Sequence, residues 1–270
     1  MANRPPVEVR FPRPSVMGVI NVTPDSFSDG GVHFRVEPAV TEAWGMLDAG
    51  AAIIDVGGES TRPGSEGVTA AEEIARIEPV IADLTGAPVS IDTSKAGVAR
   101  RALELGAELV NDVTALRGDP GLAGIVADAG CYLCLMHMQG EPRTMQVEPR
   151  YDDVVSEVKA FLEERLAFAV AQGIDERMVC IDPGIGFGKT AAHNFELVRR
   201  LDELCAIGRP VMVGFSRKST LGALSGAKVG TTAASVGAAV AAYDRGAAIL
   251  RVHDVREHVE ALAAAKAIAG

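Results

Sequence analysis

The sequence predicts an α/β fold, a single-domain (β/α)8 barrel, and three observations carry that prediction. Eight short apolar runs recur along the 270 residues, and the stretches between them show a 3.6-residue apolar period. Several of those stretches stop at a glycine, as helices do. Composition agrees: 48% of residues are apolar, aromatics make up only 4%, and 29 glycines suit closely packed α/β layers better than a sandwich of sheets. Strands alternating with helices make a parallel sheet with right-handed crossovers, and eight such units in one chain can close it into a barrel.

The elements follow in order. Residues 1–15, "MANRPPVEVRFPRPS", read as an extended lead-in, and the barrel domain covers 16–270. The expected strands are "VMGVIN" (16–21), "AIIDVGG" (52–58), "PVSIDTS" (88–94), "ELVNDVT" (108–114), "YLCLMHM" (132–138), "MVCIDPG" (178–184), "PVMVGFS" (210–216) and "AILRVHDV" (248–255). Between them, "AAEEIARIEPVIADLTG" and "YDDVVSEVKAFLEERLAFAVAQG" have the spacing of helices packed on a sheet. The endings "LDAG", "ALELG", "VADAG", "AVAQG" and "YDRG" place a glycine at each helix stop. The small residues of "AKVGTTAASVGAAVAAYDRG" suit a helix lying close to its neighbours, and "MQGEPRTMQVEPRYDD" (138–153) is the longest expected connection. No shift in composition marks a linker. A doubly wound open sheet is the competing fold, but no dinucleotide fingerprint opens a helix after the first strand.

Charge narrows the function. With 36 acidic against 26 basic residues the net charge is −10, which argues against a nucleic-acid surface and makes any basic cluster in a cleft more telling. No apolar run reaches the roughly 18 to 20 residues that span a bilayer. The N-terminus lacks the apolar core of a secretory signal. A cytoplasmic protein without membrane or nucleic-acid partners is therefore expected. Cys131 and Cys134 in "GCYLCLMHM" have C-x-x-C spacing, but strand residues three apart face opposite ways and no second pair sits at zinc spacing. With Cys180 and Cys205 they read as reduced thiols, the pair on the strand as packing residues.

The strands end in polar residues: Asn21, Asp55 followed by Glu59, Asp92, Asn111 with Asp112, His137, Asp182, Arg217 with Lys218, then Arg251 and His253. A barrel core has no need of them, and that rim is where barrel enzymes carry their chemistry. Asp92, Asn111 and Asp182 suit a flat heterocycle that presents N–H donors to carboxylates. The competing role for each Asp is to cap the next helix, a serious alternative for Asp92 in "IDTSK" and a weaker one for Asp182 in "IDPG". On an extended strand Arg251 and His253 share a face. With Arg62, Thr61 and the N–H groups of glycine-rich turns they make a phosphate or pyrophosphate site. "PGIGFGKT" imitates a phosphate-binding loop, but Pro183 stands where that motif needs glycine, so Lys189 and Thr190 read as a turn entering a helix. The Arg217-Lys218 pair follows the apolar "PVMVGF" directly, which favours a functional role.

Taken in order, "GVINVTPDSFSDGG", "IDVGGESTRPGS", "SIDTSK", "NDV", "CLMHMQGEPRTMQ", "IDPGIGFGK", "GFSRKS" and "RVHDV" resemble the dihydropteroate synthase family of pterin-binding enzymes, over about positions 16–268. The resemblance implies a (β/α)8 barrel, a homodimer and a sulfonamide target that acts in folate biosynthesis. It implies condensation of 6-hydroxymethyl-7,8-dihydropterin pyrophosphate with p-aminobenzoate, giving 7,8-dihydropteroate and pyrophosphate, with Mg2+ as cofactor. Carried across, Asp92, Asn111, Met136, Asp182, Gly214 and Lys218 bind the pterin. Asn21, Thr61, Arg62, Arg251 and His253 bind pyrophosphate, with Asn21 helping to hold Mg2+. Thr61, Arg62, Pro63, Phe187 and Ser216 contact p-aminobenzoate or the loops around it. The implied catalytic residues are Asp92, Lys218, Arg251 and His253. No side-chain nucleophile is needed, and the sequence shows no Ser-His-Asp or Cys-His arrangement.

The first βα loop is expected to act as a lid, since its small residues permit opening and closing. Asp29, followed by glycines, is favoured over Asp25 to complete the Mg2+ environment and so joins the catalytic set, while Phe27 covers the p-aminobenzoate ring. Two alternative functions compete with this one. Pterin-binding methyltransferases that act with corrinoid proteins have no use for the anion clamp of "STRPGS" and "RVHD", and a non-catalytic pterin-binding homologue finds no support in a missing motif. The segment "TLGALSGAKVGTTAAS" falls outside the secure likeness.

Overall fold

Eight parallel strands alternate with helices in the computed structural model, which describes residues 4–23, 33–60, 65 and 67–269. The strands are β1 (Ser15–Asn21), β2 (Ile53–Gly57), β3 (Val89–Asp92), β4 (Leu109–Asp112), β5 (Tyr132–Met136), β6 (Val179–Asp182), β7 (Met212–Val213) and β8 (Ile249–Val252). They pair in the order β6-β5-β4-β3-β2-β1-β8-β7, and a bridge between Ile181 and Val211 joins the two ends. The predicted (β/α)8 barrel is the observed one. The last two strands are shorter than expected, so Ser216 and His253 lie beyond the ladder.

The helices are α1 (Val7–Arg10), α2 (His33–Asp48), α3 (Ala70–Asp83), α4 (Ala96–Glu104), α5 (Leu122–Ala129), α6 (Val154–Ala171), α7 (Ala191–Arg199), α8 (Leu201–Cys205), α9 (Ser219–Ser225), α10 (Thr232–Asp244) and α11 (Val255–Ala269). Their starts are capped where the sequence offers a polar side chain. Thr69 and Glu72 form a reciprocal capping box on α3, and the Asp153 carboxylate accepts from the Val155 and Ser156 N–H groups on α6. Thr190 caps α7, which accounts for half of the false phosphate-loop signal. The five expected helix-stop glycines, Gly50, Gly106, Gly130, Gly173 and Gly246, all have positive φ, between 57° and 111°.

Alternation along the strands sorts the core into two layers. Ile54, Val56, Val89, Ile91, Val110, Leu133, Leu135, Val179, Ile181, Val213, Leu250 and Val252 face outward and merge with the apolar faces of the helices. The intervening Met17, Ile53, Leu109, Tyr132, Cys134, Cys180, Met212 and Ile249 fill the base of the barrel. Cys131 belongs to the outer layer and Cys134 to the inner one, so the C-x-x-C pair is split by the strand, and all four cysteines are free thiols. Burial pushes the Cys131 thiol up to about 11 and Cys134 well above its ordinary value, which keeps both protonated and unreactive.

The lead-in departs from an extended chain at one turn, α1. Val7 and Phe11 lie four residues apart, so a helical turn brings both onto one side, where they close the base of the barrel at 0% and 1% exposure. The Phe11 ring meets Tyr132 edge-on at 5.6 Å, the Tyr132 hydroxyl donates to the Pro5 carbonyl at 2.9 Å, and Arg10 pairs with Glu108. Phe11→Ala is expected to cost about 3–5 kcal/mol. Denaturant unfolding measures it, and a loss below about 1 kcal/mol would show that the plug does not support the barrel.

Candidate active site

The same alternation, followed to the C-terminal ends of the strands, selects the residues of the barrel mouth. In step with the inner layer come Asn21, Asp55, Gly57, Asp92, Asn111, Met136, Asp182, Gly214 and Arg251. Strand register sets several of them in one row: Asn21 faces Gly57, Gly57 faces Asp92, and Asp92 faces Asn111. Further round, Met136 faces Asp182.

Residues one step out of phase do other work. Asp112 follows Asn111 and accepts from the Thr114 N–H at 2.8 Å and the Leu116 N–H at 2.6 Å, which pins a turn whose Ala115 and Leu116 have φ of 51° and 63°. His137 follows Met136 and is buried, its Nδ1 lying 2.8 Å from Lys189 Nζ. Burial, then the Lys189 and Arg117 charges, push His137 down to about 2, so its ring stays neutral. Arg217 has φ of 56° and pairs with Asp254 at 2.6 Å, away from Lys218, so the expected functional pair separates and only the lysine joins the site. Glu59 takes the Lys95 ammonium at 2.8 Å and the Val68 N–H at 2.9 Å, and Lys95 also reaches the fully buried Glu73 at 2.6 Å.

Asp55, an unassigned strand residue in the sequence, is the centre of one wall. Its carboxylate is 0% exposed and accepts from Ser90 Oγ at 2.5 Å, Asn111 Nδ2 at 2.9 Å and Arg251 Nε at 2.7 Å. Arg251 Nη2 continues to Asp92 Oδ2 at 2.8 Å. Burial opposes the Arg251 charge, yet Asp55 and Asp92 outweigh it and hold that guanidinium above its ordinary pKa. Asp92 is pushed up to about 7, first by burial, with Arg251 opposing and Asp55 adding to the rise. Its capping alternative is not realised: the Ala96 N–H at the start of α4 is taken by Asp119 at 2.9 Å. Asp182, the weaker capping candidate, is the one that accepts from a following backbone group, the Gly184 N–H at 2.6 Å.

A second wall, beside the first, combines charge with an apolar shelf. Lys218 donates to the Ile185 carbonyl, and its ammonium lies 4.8 Å from the centre of the Phe187 ring. Burial pushes Lys218 down to about 8, resisted chiefly by Asp182. Met136 packs with Val113, Met138 and Met145, and Phe187 lies against them. A Cβ on Gly214 would sit 3.7 Å from the Arg251 Cβ and 3.9 Å from Lys218 Nζ, so this glycine separates the two cations. His253 bonds Ser216 through both its N–H and Nδ1, at 3.1 and 3.0 Å, tying together the segments after β7 and β8. Arg251 and His253 thus engage different neighbours, one across the barrel and one beside it. Asn21 Oδ1 and Asp92 Oδ2 both lie within 4 Å of the point a Cβ on Gly57 would occupy. Asp25, Phe27, Asp29, Thr61, Arg62 and Pro63 lie outside the described residues.

Such a mouth can hold a flat polar ring between carboxylates, an amide and a methionine shelf, with cations placed for an anionic group beside it. A family model described as pterin binding enzyme matches residues 17–253. The dihydropteroate synthase of Escherichia coli (strain K12) is 48% identical over 255 residues, 92% of this chain and 89% of that one. The structure of Xanthomonas albilineans dihydropteroate synthase with 4-aminobenzoic acid matches with a TM-score of 0.89 and 47% identity, over 96% of this chain and 94% of that one. The Xanthomonas albilineans enzyme in complex with 7,8-dihydropteroate matches with a TM-score of 0.86 and 45% identity, over 96% and 95%. In motif order, in barrel and in overall likeness the chain belongs to the pterin binding enzyme family, and within it to the dihydropteroate synthases.

Proposed function

We infer that the protein condenses 6-hydroxymethyl-7,8-dihydropterin pyrophosphate with p-aminobenzoate, yielding 7,8-dihydropteroate and pyrophosphate for folate biosynthesis. Beyond family membership, the observation that carries this reading is the row Asp92–Asn111 with Arg251 drawn into it, a pterin-shaped acid and amide edge with an anion-binding cation attached. In the reaction the C–O bond between the pterin methylene and pyrophosphate breaks, and its electron pair leaves with the pyrophosphate. The amine nitrogen of p-aminobenzoate forms the new C–N bond and then loses a proton.

The chain's residues support each step electrostatically. A guanidinium has five N–H donors, and Arg251 commits one to Asp55 and one to Asp92. The others remain for the pyrophosphate, whose charge grows as the C–O bond lengthens. Asp92 and Asp182 accept from the pterin edge, and the Asp92 carboxylate offsets the positive charge that develops on the methylene. Met136 supplies the apolar shelf under the pterin, Phe187 and Ser216 are the residues assigned to the second ring, and the pterin-assigned Lys218 lies over the Phe187 ring between the two. Mg2+ fits the oxygens on this side: it takes one or two protein oxygens and completes its shell with water and substrate phosphates, and Asn21 Oδ1 is a hard donor placed near Asp92. Asn21 would hold it, and the ion would neutralise charge on the leaving group.

Purified protein supplied with both substrates and Mg2+ is expected to release pyrophosphate only when p-aminobenzoate is present, and release independent of it would overturn the reading. Arg251→Ala should lower kcat/KM for the pyrophosphate ester on the order of 100-fold and leave affinity for free pterin far less changed; equal losses count against the assigned role. The Lys218 ammonium is present below about 8 and lost above it. Accordingly kcat/KM should fall about tenfold per pH unit on the alkaline side, and residual activity of Lys218→Arg, which stays charged, should lack that limb. A limb that persists in the arginine variant removes Lys218 from the titration.

A further inference from the structure

Lys189 is a buried cation that the reaction, as derived above, does not use. It is 2% exposed, and no carboxylate is ion-paired with it among the described residues. Its ammonium is instead enclosed by acceptors: His137 Nδ1 at 2.8 Å, the Phe187 carbonyl at 3.0 Å, the Gly184 carbonyl at 3.1 Å and the His137 carbonyl at 3.4 Å. Carbonyl oxygens only accept, so the Lys189 nitrogen donates to them, and it pairs with Nδ1 of the neutral His137 ring. Burial pushes Lys189 well below its ordinary pKa, with Asp182 the charge that resists, so what keeps the group there is its set of buried hydrogen bonds, and these hold something in place.

What they hold is the turn at 183–190. Two of the acceptors belong to that turn and two to His137, so Lys189 bolts the turn after β6 to the segment after β5. The two backbones are pressed together without room for side chains. Gly184 and Gly188 have φ of 68° and 65°, and a Cβ on either would overlap a carbonyl oxygen, of His137 and Gln139 respectively. The turn then presents two groups to the mouth: the Ile185 carbonyl, which receives Lys218, and the Phe187 ring beside the Lys218 ammonium.

We propose that Lys189 is a positioning residue, whose side-chain nitrogen locks the 183–190 turn onto His137 and thereby sets where Phe187 meets the second substrate. This rests on the synthase reading, in which Phe187 borders the p-aminobenzoate site. A lysine that merely filled space would be replaced without loss by methionine, which has similar length and no donors.

Steady-state kinetics with both substrates varied, on wild type, Lys189→Met and His137→Asn, test the proposal. In Lys189→Met the KM for p-aminobenzoate should rise on the order of tenfold, while the KM for the pterin pyrophosphate stays within about twofold. His137→Asn removes the shortest contact but leaves the lysine its other carbonyls, and should show the same split in weaker form. Unchanged KM values, or equal rises in both, in whichever of these variants is folded by thermal melt overturn the proposal while an active wild type leaves the synthase reading standing. A wild type without p-aminobenzoate-dependent release overturns that reading and this one with it.

Discussion

The buried contact of Arg251 with Asp55 and Asp92 is the constraint around which the mouth of this barrel is organised. A charge removed from water costs several kcal/mol unless it is matched and hydrogen-bonded. Here a guanidinium from β8 crosses to carboxylates on β2 and β3, and Ser90 and Asn111 satisfy most of what remains on Asp55. The apolar base beneath, closed by Val7 and Phe11, excludes water from below and strengthens every interaction above it. Stability and the proposed chemistry therefore draw on shared groups: Asp92, Asn111 and Arg251, which help to hold four strands together at the mouth, are also among the residues proposed to meet the substrate.

Much of this was legible from strand parity and strand ends. Apolar runs ending in polar residues located the mouth, and helix-stop glycines located the crossovers. Parity also separates true rim residues from false ones, since Asn111 and Met136 face in while their neighbours Asp112 and His137 do not. Polarity at a strand end does not by itself separate the two kinds. Asp55 went unassigned because it lies two residues before the strand's end, where its three donors come from three other strands and no local pattern records them. The separation of Arg217 from Lys218 depends on a left-handed backbone at a non-glycine residue, a conformation that residue type alone does not announce. Lys189 reads in the sequence as part of a turn entering a helix, but its cage is assembled from two loops, with His137 lying 52 residues before it.

The two walls also differ in how they hold charge. On one, an arginine is balanced by carboxylates and stays charged at any physiological pH, while Asp92 titrates near neutrality. On the other, Lys218 is buried beside an aromatic ring and a carbonyl, with Asp182 as its principal electrostatic support. The first arrangement suits binding an anion that must eventually be released as a leaving group. The second leaves a cation against an aromatic face, a surface suited to a flat ring.

The shortest strand has a consequence for how the ring of strands behaves. Between β6 and β7 the ladder reduces to a lone bridge, Ile181 with Val211, whereas β1 and β2 are joined along their full overlap. The segments that leave the barrel on either side of that seam are the turn bearing Phe187 and the stretch bearing Gly214, Ser216 and Lys218. Local opening is cheapest where the fewest hydrogen bonds must break. The ring of strands is accordingly opened most easily at this seam, and a shift there would move Phe187 relative to Lys218 while leaving the contacts of Arg251 with Asp55 and Asp92 intact.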